Sequence, residues 1–154
     1  MAQKLKPGDK APDFSLKDQD GNTVTLAQFL GKKNLVLYFY QKDFTMGCTA
    51  EACAFRDSYE IFLEKGAEVI GVSADPAESH REFREQHRLP FTLLSDPGWK
   101  TAEMYGAGKV FGLIPSRVSF IIDKKGVIRH VFVAQFRAEL HTAEALRVLD
   151  ELGV

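Results

Sequence analysis

The chain has 154 residues, 45% of them apolar, a net charge of −1 and two cysteines. That length suits one domain with a substantial core, spanning residues 1–154, and the near-neutral charge points away from nucleic acid and from an anionic membrane surface. Residues Met1 to Gly8 lack the apolar h-region of a secretory signal, no window approaches the roughly 18 apolar residues of a membrane span, and two cysteines do not make a secreted disulfide scaffold. The expected setting is reducing and cytoplasmic; a form released from an organelle precursor would look the same.

Pro7-Gly8 and Ala11-Pro12 keep the start irregular. Phe14 to Leu16 and Thr23 to Leu26 alternate around Asp20-Gly21-Asn22, which predicts a hairpin. Ala27 to Leu30 makes at most one helical turn before Gly31. Asn34 to Tyr40 is continuously apolar after its first residue, as in a strand covered on both faces. A helix is expected from about Cys48 to Lys65, with Phe55, Tyr59, Phe62 and Leu63 on one face. Ala67 to Ser73 reads as a second buried strand, and Asp75-Pro76 opens a helix that carries Phe83 and ends near Pro90. Phe91 to Leu94 is a short apolar strand, Asp96-Pro97-Gly98 a turn, and Trp99 to Tyr105 a short helix stopped by Gly106. Ala107 to Pro115, with its glycines, reads as loop; Val118 to Ile122 and Val127 to Val133 form a second hairpin around Asp123 to Gly126. The last helix runs from about Glu139 to Leu152, with Ala145, Leu146, Leu149 and Leu152 on one face. This order predicts an α/β fold with a central mixed sheet, of thioredoxin-like architecture with an N-terminal hairpin extension.

Both cysteines fall in Gln41 to Cys53, where the central strand hands over to a helix. Backbone N–H groups and the positive end of the helix dipole meet at that point, and such a position favours the reactive thiolate of a cysteine placed there. A free cysteine is often a small buried hydrophobe, but Cys48 stands between Gly47 and Thr49, not among core residues. In a helix, positions five apart lie about 7.5 Å apart along the axis and about 140° around it. A disulfide needs convergent side chains with Cα atoms within about 7 Å. Cys48 and Cys53 therefore either never bond, or the helix start unwinds when they do. Two cysteines and four scattered histidines do not make a closed metal site.

These residues resemble a peroxiredoxin, most closely the bacterioferritin comigratory protein or peroxiredoxin Q branch. The matching segments run almost end to end: Ala11-Pro12-Asp13-Phe14, Tyr38-Phe39-Tyr40, Thr45-x-x-Cys48-Thr49, Glu51-Ala52-Cys53-x-Phe55-Arg56-Asp57, Val72 to Asp75, Leu94 to Pro97, Arg117 to Asp123, and Gln135-Phe136 with His141. The resemblance implies a thiol-dependent peroxidase for hydrogen peroxide and organic hydroperoxides, a monomer without cofactor or metal, recycled by thioredoxin or a similar dithiol. It implies that Cys48 is the peroxidatic cysteine, Cys53 the resolving cysteine, and that Thr45 and Arg117 stabilise thiolate and peroxide. The implied Cys48–Cys53 bond requires the helix start to unfold in each cycle. The chain departs from the family pattern at Gln41, where a proline is expected, and at Phe44 and Met46.

Simpler roles compete for several of these residues. Taken alone, Arg117 reads equally as a solvated charge at a strand end and Thr45 as a helix cap; Glu51 reads first as an acid suited to the helix dipole, and core filler is the lesser reading of Cys53. His80 and His87 read as solvated, His130 and His141 as structural, and Tyr40 with Phe44 as walls of the pocket. Met46 reads as an oxidation target or as packing. Two other functions compete: a general thiol–disulfide oxidoreductase, for which the expected C-x-x-C pair is missing, and a redox-sensing interaction protein.

Overall fold

The turn at Asp20-Gly21-Asn22 closes a hairpin of β1 (Ser15–Asp18) and β2 (Thr23–Thr25), with Gly21 at φ 81°, where a side chain would be strained. The computed structural model describes residues 5–107, 109–110, 114–115, 117–133 and 140–152. After a single 3₁₀ turn (Leu26–Gln28) come β3 (Asn34–Phe39), α1 (Met46–Asp57), α2 (Tyr59–Glu64) and β4 (Ala67–Ser73). Then follow α3 (Ala77–His87), β5 (Thr92–Ser95), a 3₁₀ turn (Pro97–Trp99), α4 (Lys100–Met104), β6 (Lys109–Val110) and β7 (Ile114–Pro115). The chain closes with β8 (Val118–Ile122), β9 (Ile128–Val133) and α5 (Leu140–Glu151).

Seven strands form one mixed sheet in the order β2-β1-β5-β4-β3-β8-β9. β3, β4 and β5 are parallel, and β8 and β9 add antiparallel on one side, the β1–β2 hairpin on the other. Every residue of β3 is buried, as its unbroken apolar run requires. The pleat divides them: Val36 and Tyr38, with Tyr40 just beyond the strand, join a core with Phe55, Phe62, Phe83 and the Ala145, Val148 and Leu149 face of α5. Leu35, Leu37 and Phe39 join a second core with Phe14, Leu26, Ala102, Tyr105 and Phe120.

Three expectations change. The helix predicted through to Lys65 breaks at Ser58 (φ −106°, ψ 5°), after Asp57. Asp and Ser side chains compete with helical backbone bonds, and the pair marks the break. Beyond it α2 points Phe62 inward and leaves Leu63 39% exposed, so Leu63 is not on the buried face. The glycine-bearing stretch read as loop contains the short antiparallel pair β6–β7. Gly108 and Gly112 in that stretch lie outside the described residues, as do Gln135, Phe136 and Glu139.

Gly71 of β4 lies beside Tyr38 of β3, and a Cβ built there would come within 2.7 Å of the Tyr38 ring. Tyr38 is fully buried and stacked on Phe55 at 4.6 Å between centroids, so it has little room to yield. Gly71→Ala is expected to cost about 1–3 kcal/mol as overpacking. Urea unfolding of the two proteins measures it; an unchanged midpoint would show that the ring relaxes freely.

Candidate active site

β3 ends at Phe39, and residues 40–45 carry the chain to the start of α1, at the carboxyl edge of the parallel strands. Cys48 is the third residue of α1 and is 1% exposed. β8 runs antiparallel to β3 with Val118 opposite Phe39, so the preceding residue, Arg117, arrives beside the same strand end. Its guanidinium is buried, donates from Nη1 to Glu51 Oε1 at 2.8 Å, and lies within hydrogen-bonding reach of Cys48. A Cβ on Gly47 would lie 2.9 Å from Arg117 Nη2, so the bare backbone at position 47 is what admits the cation.

Burial works against the Arg117 charge, but Glu51 and Cys48 beside it more than offset this and hold its pKa above the ordinary value. Glu51 is fully buried, and desolvation pushes its carboxyl up to about 8 despite the opposing pull of Arg117. Its second oxygen, Oε2, has no hydrogen-bond partner among the described residues and lies 3.7 Å from Nδ1 of buried His141. The same nitrogen is 2.7 Å from Ser119 Oγ. Glu51 thus serves as a buried hydrogen-bond acceptor that holds Arg117, and it lies beyond the first turn of α1, where an acid would suit the helix dipole. His141 is structural, as expected; His130 sits partly buried 3.5 Å from Glu144.

Thr45 occupies the N-cap position of α1 but makes no side-chain cap bond. Its hydroxyl donates to the Lys42 carbonyl at 2.9 Å, which leaves oxygen lone pairs free to accept. Cys53 is half-buried on the same intact helix as Cys48, and both thiols are free. The structure therefore joins Cys48 and Arg117 directly, sets Thr45 at the helix start, and leaves Cys53 on a different face.

The sequence reading missed a brace beneath the loop. Asp43 is 3% exposed. Its carboxylate accepts from the Tyr40 hydroxyl at 2.5 Å and the Ser79 hydroxyl at 2.8 Å, with His80 Nδ1 at 2.7 Å. Its backbone N–H donates to Asp75 Oδ2 at 2.8 Å. His80, read as solvated, is fully buried and faces the Leu94 carbonyl with Nε2 at 2.9 Å. The signal was available, because His80 and Phe83 lie three apart and share a helix face. Tyr40 turns its hydroxyl to Asp43, and Phe44 (φ 68°, 44% exposed) lies edge-on against Phe83 at 5.1 Å. Asp43, Asp75 and His80 are the described residues that could gather round a cation. Both oxygens of Asp43 and Oδ2 of Asp75 already accept from Tyr40, Ser73, Ser79 and backbone, so the group reads as a hydrogen-bonded brace.

A thiol at a helix start, on a thioredoxin-like sheet and against a buried guanidinium, is the arrangement of a thiol-based redox enzyme. Residues 7–131 match the AhpC/TSA family. The chain is 50% identical over 150 residues to "Peroxiredoxin Q, chloroplastic" of Triticum aestivum, covering 97% of this chain and 69% of that protein. The crystal structure of the peroxidoxin BcpB of Mycobacterium tuberculosis superposes with a TM-score of 0.89 at 34% identity, covering 96% of this chain and 98% of that one. A mutant PrxQ of Xylella fastidiosa superposes with a TM-score of 0.89 at 26% identity, covering 99% and 100%. The chain belongs to the AhpC/TSA family and is a peroxiredoxin of the Q type, a thiol-dependent peroxidase.

Two measurements check the electrostatic account. The folded protein holds a proton on Glu51 up to about 8, against 4.5 for the free group, so it binds more protons than the unfolded chain between those values. This contribution to stability is full below about 4.5 and is lost as pH rises through about 8. Glu51→Gln is expected to remove a downward slope of up to about 1.4 kcal/mol per pH unit in that window; parallel slopes for the two proteins would overturn the assignment. Gly47→Ala is expected to displace the guanidinium and lower the rate of Cys48 oxidation by hydrogen peroxide about 100- to 1000-fold, the scale of losing one preorganised donor. An unchanged rate would show that Arg117 does not need that approach.

Proposed function

We propose that Cys48 attacks the peroxide and Cys53 resolves the product, with Thr45 and Arg117 completing the peroxide site. The observation that carries this is the Cys48 sulfur buried at the start of α1 against the Arg117 guanidinium. The sulfur attacks one peroxide oxygen, the O–O bond breaks, and water or an alcohol leaves, which gives a Cys48 sulfenic acid. Cys53 condenses with it to a disulfide and releases water. An ordinary thiol is already about 3% ionised at pH 7, so full ionisation supplies about 2 kcal/mol of the acceleration. The rest must come from groups arranged around the breaking bond. Arg117 and the first N–H groups of α1 face developing negative charge, and the Thr45 oxygen accepts from the peroxide proton.

The substrates on this reading are hydrogen peroxide and organic hydroperoxides, and the disulfide is reduced by thiol exchange with thioredoxin or a similar dithiol. Both cysteines lie in one chain, so the cycle needs no second copy, which supports a monomer. One continuous sheet with a core on each face supports a single domain over residues 1–154. Two free thiols suit a reducing compartment, which we take to be the cytoplasm; the wheat relative is a chloroplast protein. No described helix is long and apolar enough to cross a membrane.

Reduced protein mixed with one equivalent of hydrogen peroxide, followed by Trp99 fluorescence and free-thiol counts, tests the assignment. Both thiols are expected to disappear rapidly into an intramolecular disulfide. Cys48→Ser is expected to abolish the reaction, and Cys53→Ser to stop it at the sulfenic acid. Oxidation no faster than that of a small free thiol, or persistence of the reaction in Cys48→Ser, would overturn it.

A further inference from the structure

We infer that His87 is the general base for Cys53 in the step that forms the disulfide. The inference rests on the reading of Cys53 as the resolving cysteine. Cys53 Sγ lies 4.0 Å from His87 Nδ1, across the contact between α1 and the last residue of α3. That is long for an S–H···N bond, and such contacts tighten as the reacting partner arrives. The imidazole is half-buried, so it can exchange a proton with water, and its ring is set edge-on against Phe83 at 5.2 Å.

A second contact keeps the pair together while the site rearranges. Arg56 Nη1, one helical turn beyond Cys53, donates to the His87 carbonyl at 2.8 Å. Phe55 between them is fully buried. The second half of α1 is thereby tied to the end of α3. The first half, with Met46 89% exposed and Gly47 and Ala50 also exposed, is anchored among the described residues by Cys48 and Glu51. When α1 unwinds from its start, Cys48 travels and Cys53 stays beside His87.

His87 Nδ1 takes the Cys53 thiol proton, and the Cys53 sulfur attacks the sulfur of the Cys48 sulfenic acid. The S–S bond forms as the S–O bond breaks, and the departing hydroxide takes the proton back from the imidazolium and leaves as water. Cys53 sulfur is oxidised and Cys48 sulfur reduced, each to the disulfide level, and no further oxidant is consumed. In reduction of the disulfide by a dithiol, the imidazolium can return a proton to Cys53 as the leaving thiolate.

The test follows the phase after Cys48 oxidation in a single turnover with one equivalent of hydrogen peroxide. In His87→Ala it is expected to slow about 10- to 30-fold at pH 7, the range set by an unassisted thiol that is ~3% ionised. Added imidazole is expected to restore it. In a Cys48→Ser background, iodoacetamide is expected to alkylate Cys53 more slowly once His87 is replaced by Gln, a variant that keeps the bulk of the ring's position. A second phase as fast as in the natural protein, or a slowed phase that imidazole leaves slow together with unchanged alkylation, would overturn the role of His87. Absence of the Cys48–Cys53 bond in the natural protein would instead overturn the resolving role of Cys53, and this inference with it.

Discussion

One buried cation serves two acids. Arg117 lies where water is excluded, and a charge in such a place costs several kcal/mol unless it is paired. Glu51 and Cys48 both reach it. They compete, because a single guanidinium cannot fully compensate two negative charges. Burial raises the Glu51 carboxyl towards its neutral form, which leaves more of the Arg117 charge for the sulfur. Two features far apart in the chain make this arrangement possible. The register of β8 on β3 delivers residue 117 to the end of the central strand, and a slip of one residue would turn its side chain to the other face. The missing side chain at Gly47 then lets the guanidinium approach the helix start.

The helix that carries both thiols is anchored unevenly along its length. Gly47 is a poor helix former, and Met46, Gly47 and Ala50 bury little surface. Ala52 and Phe55 are buried in the core, and Arg56 is bonded across to α3. Local opening follows the least buried contacts, so fraying of α1 proceeds from Met46 towards Cys53. The opposing terms are Cys48, which would leave a buried position and the company of Arg117, and Glu51, whose buried bond to Arg117 lies between the two thiols in the chain. The reduced state is therefore held closed by the same charge pair that prepares the thiol for reaction.

What the sequence made legible was periodic or local. The unbroken run of β3, the turn at Gly21, the apolar face of α5 and the strand–cysteine–helix handover each lie within one element or at one junction. The break at Ser58 was hidden because Tyr59, Phe62 and Leu63 continue a helical spacing that the broken backbone no longer follows. Arg117 and Glu51 are 66 positions apart, and no pattern within either segment names the other. His80 and His87 misled because residue type was weighed above position. His80, Phe83 and His87 stand at i, i+3 and i+7, one face of α3, and the buried Phe83 marks that face as the inner one.

That face also bears on the proline that the family pattern places where Gln41 stands. A proline stiffens a loop through its own φ angle. Here the loop is held from outside: Tyr40, Ser79 and His80 take the carboxylate of Asp43, and Asp75 takes its backbone N–H. The next residue, Phe44, adopts a left-handed conformation that costs about 1–2 kcal/mol for a side chain of that kind, and the brace and the Phe83 contact offset it. Rigidity of the cysteine loop is thus a property of α3 more than of the loop. His80 and His87 are seven residues apart on that helix, about 10.5 Å along its axis. One holds the segment that leads to Cys48 and the other faces Cys53, so a single helix face spans the two thiols.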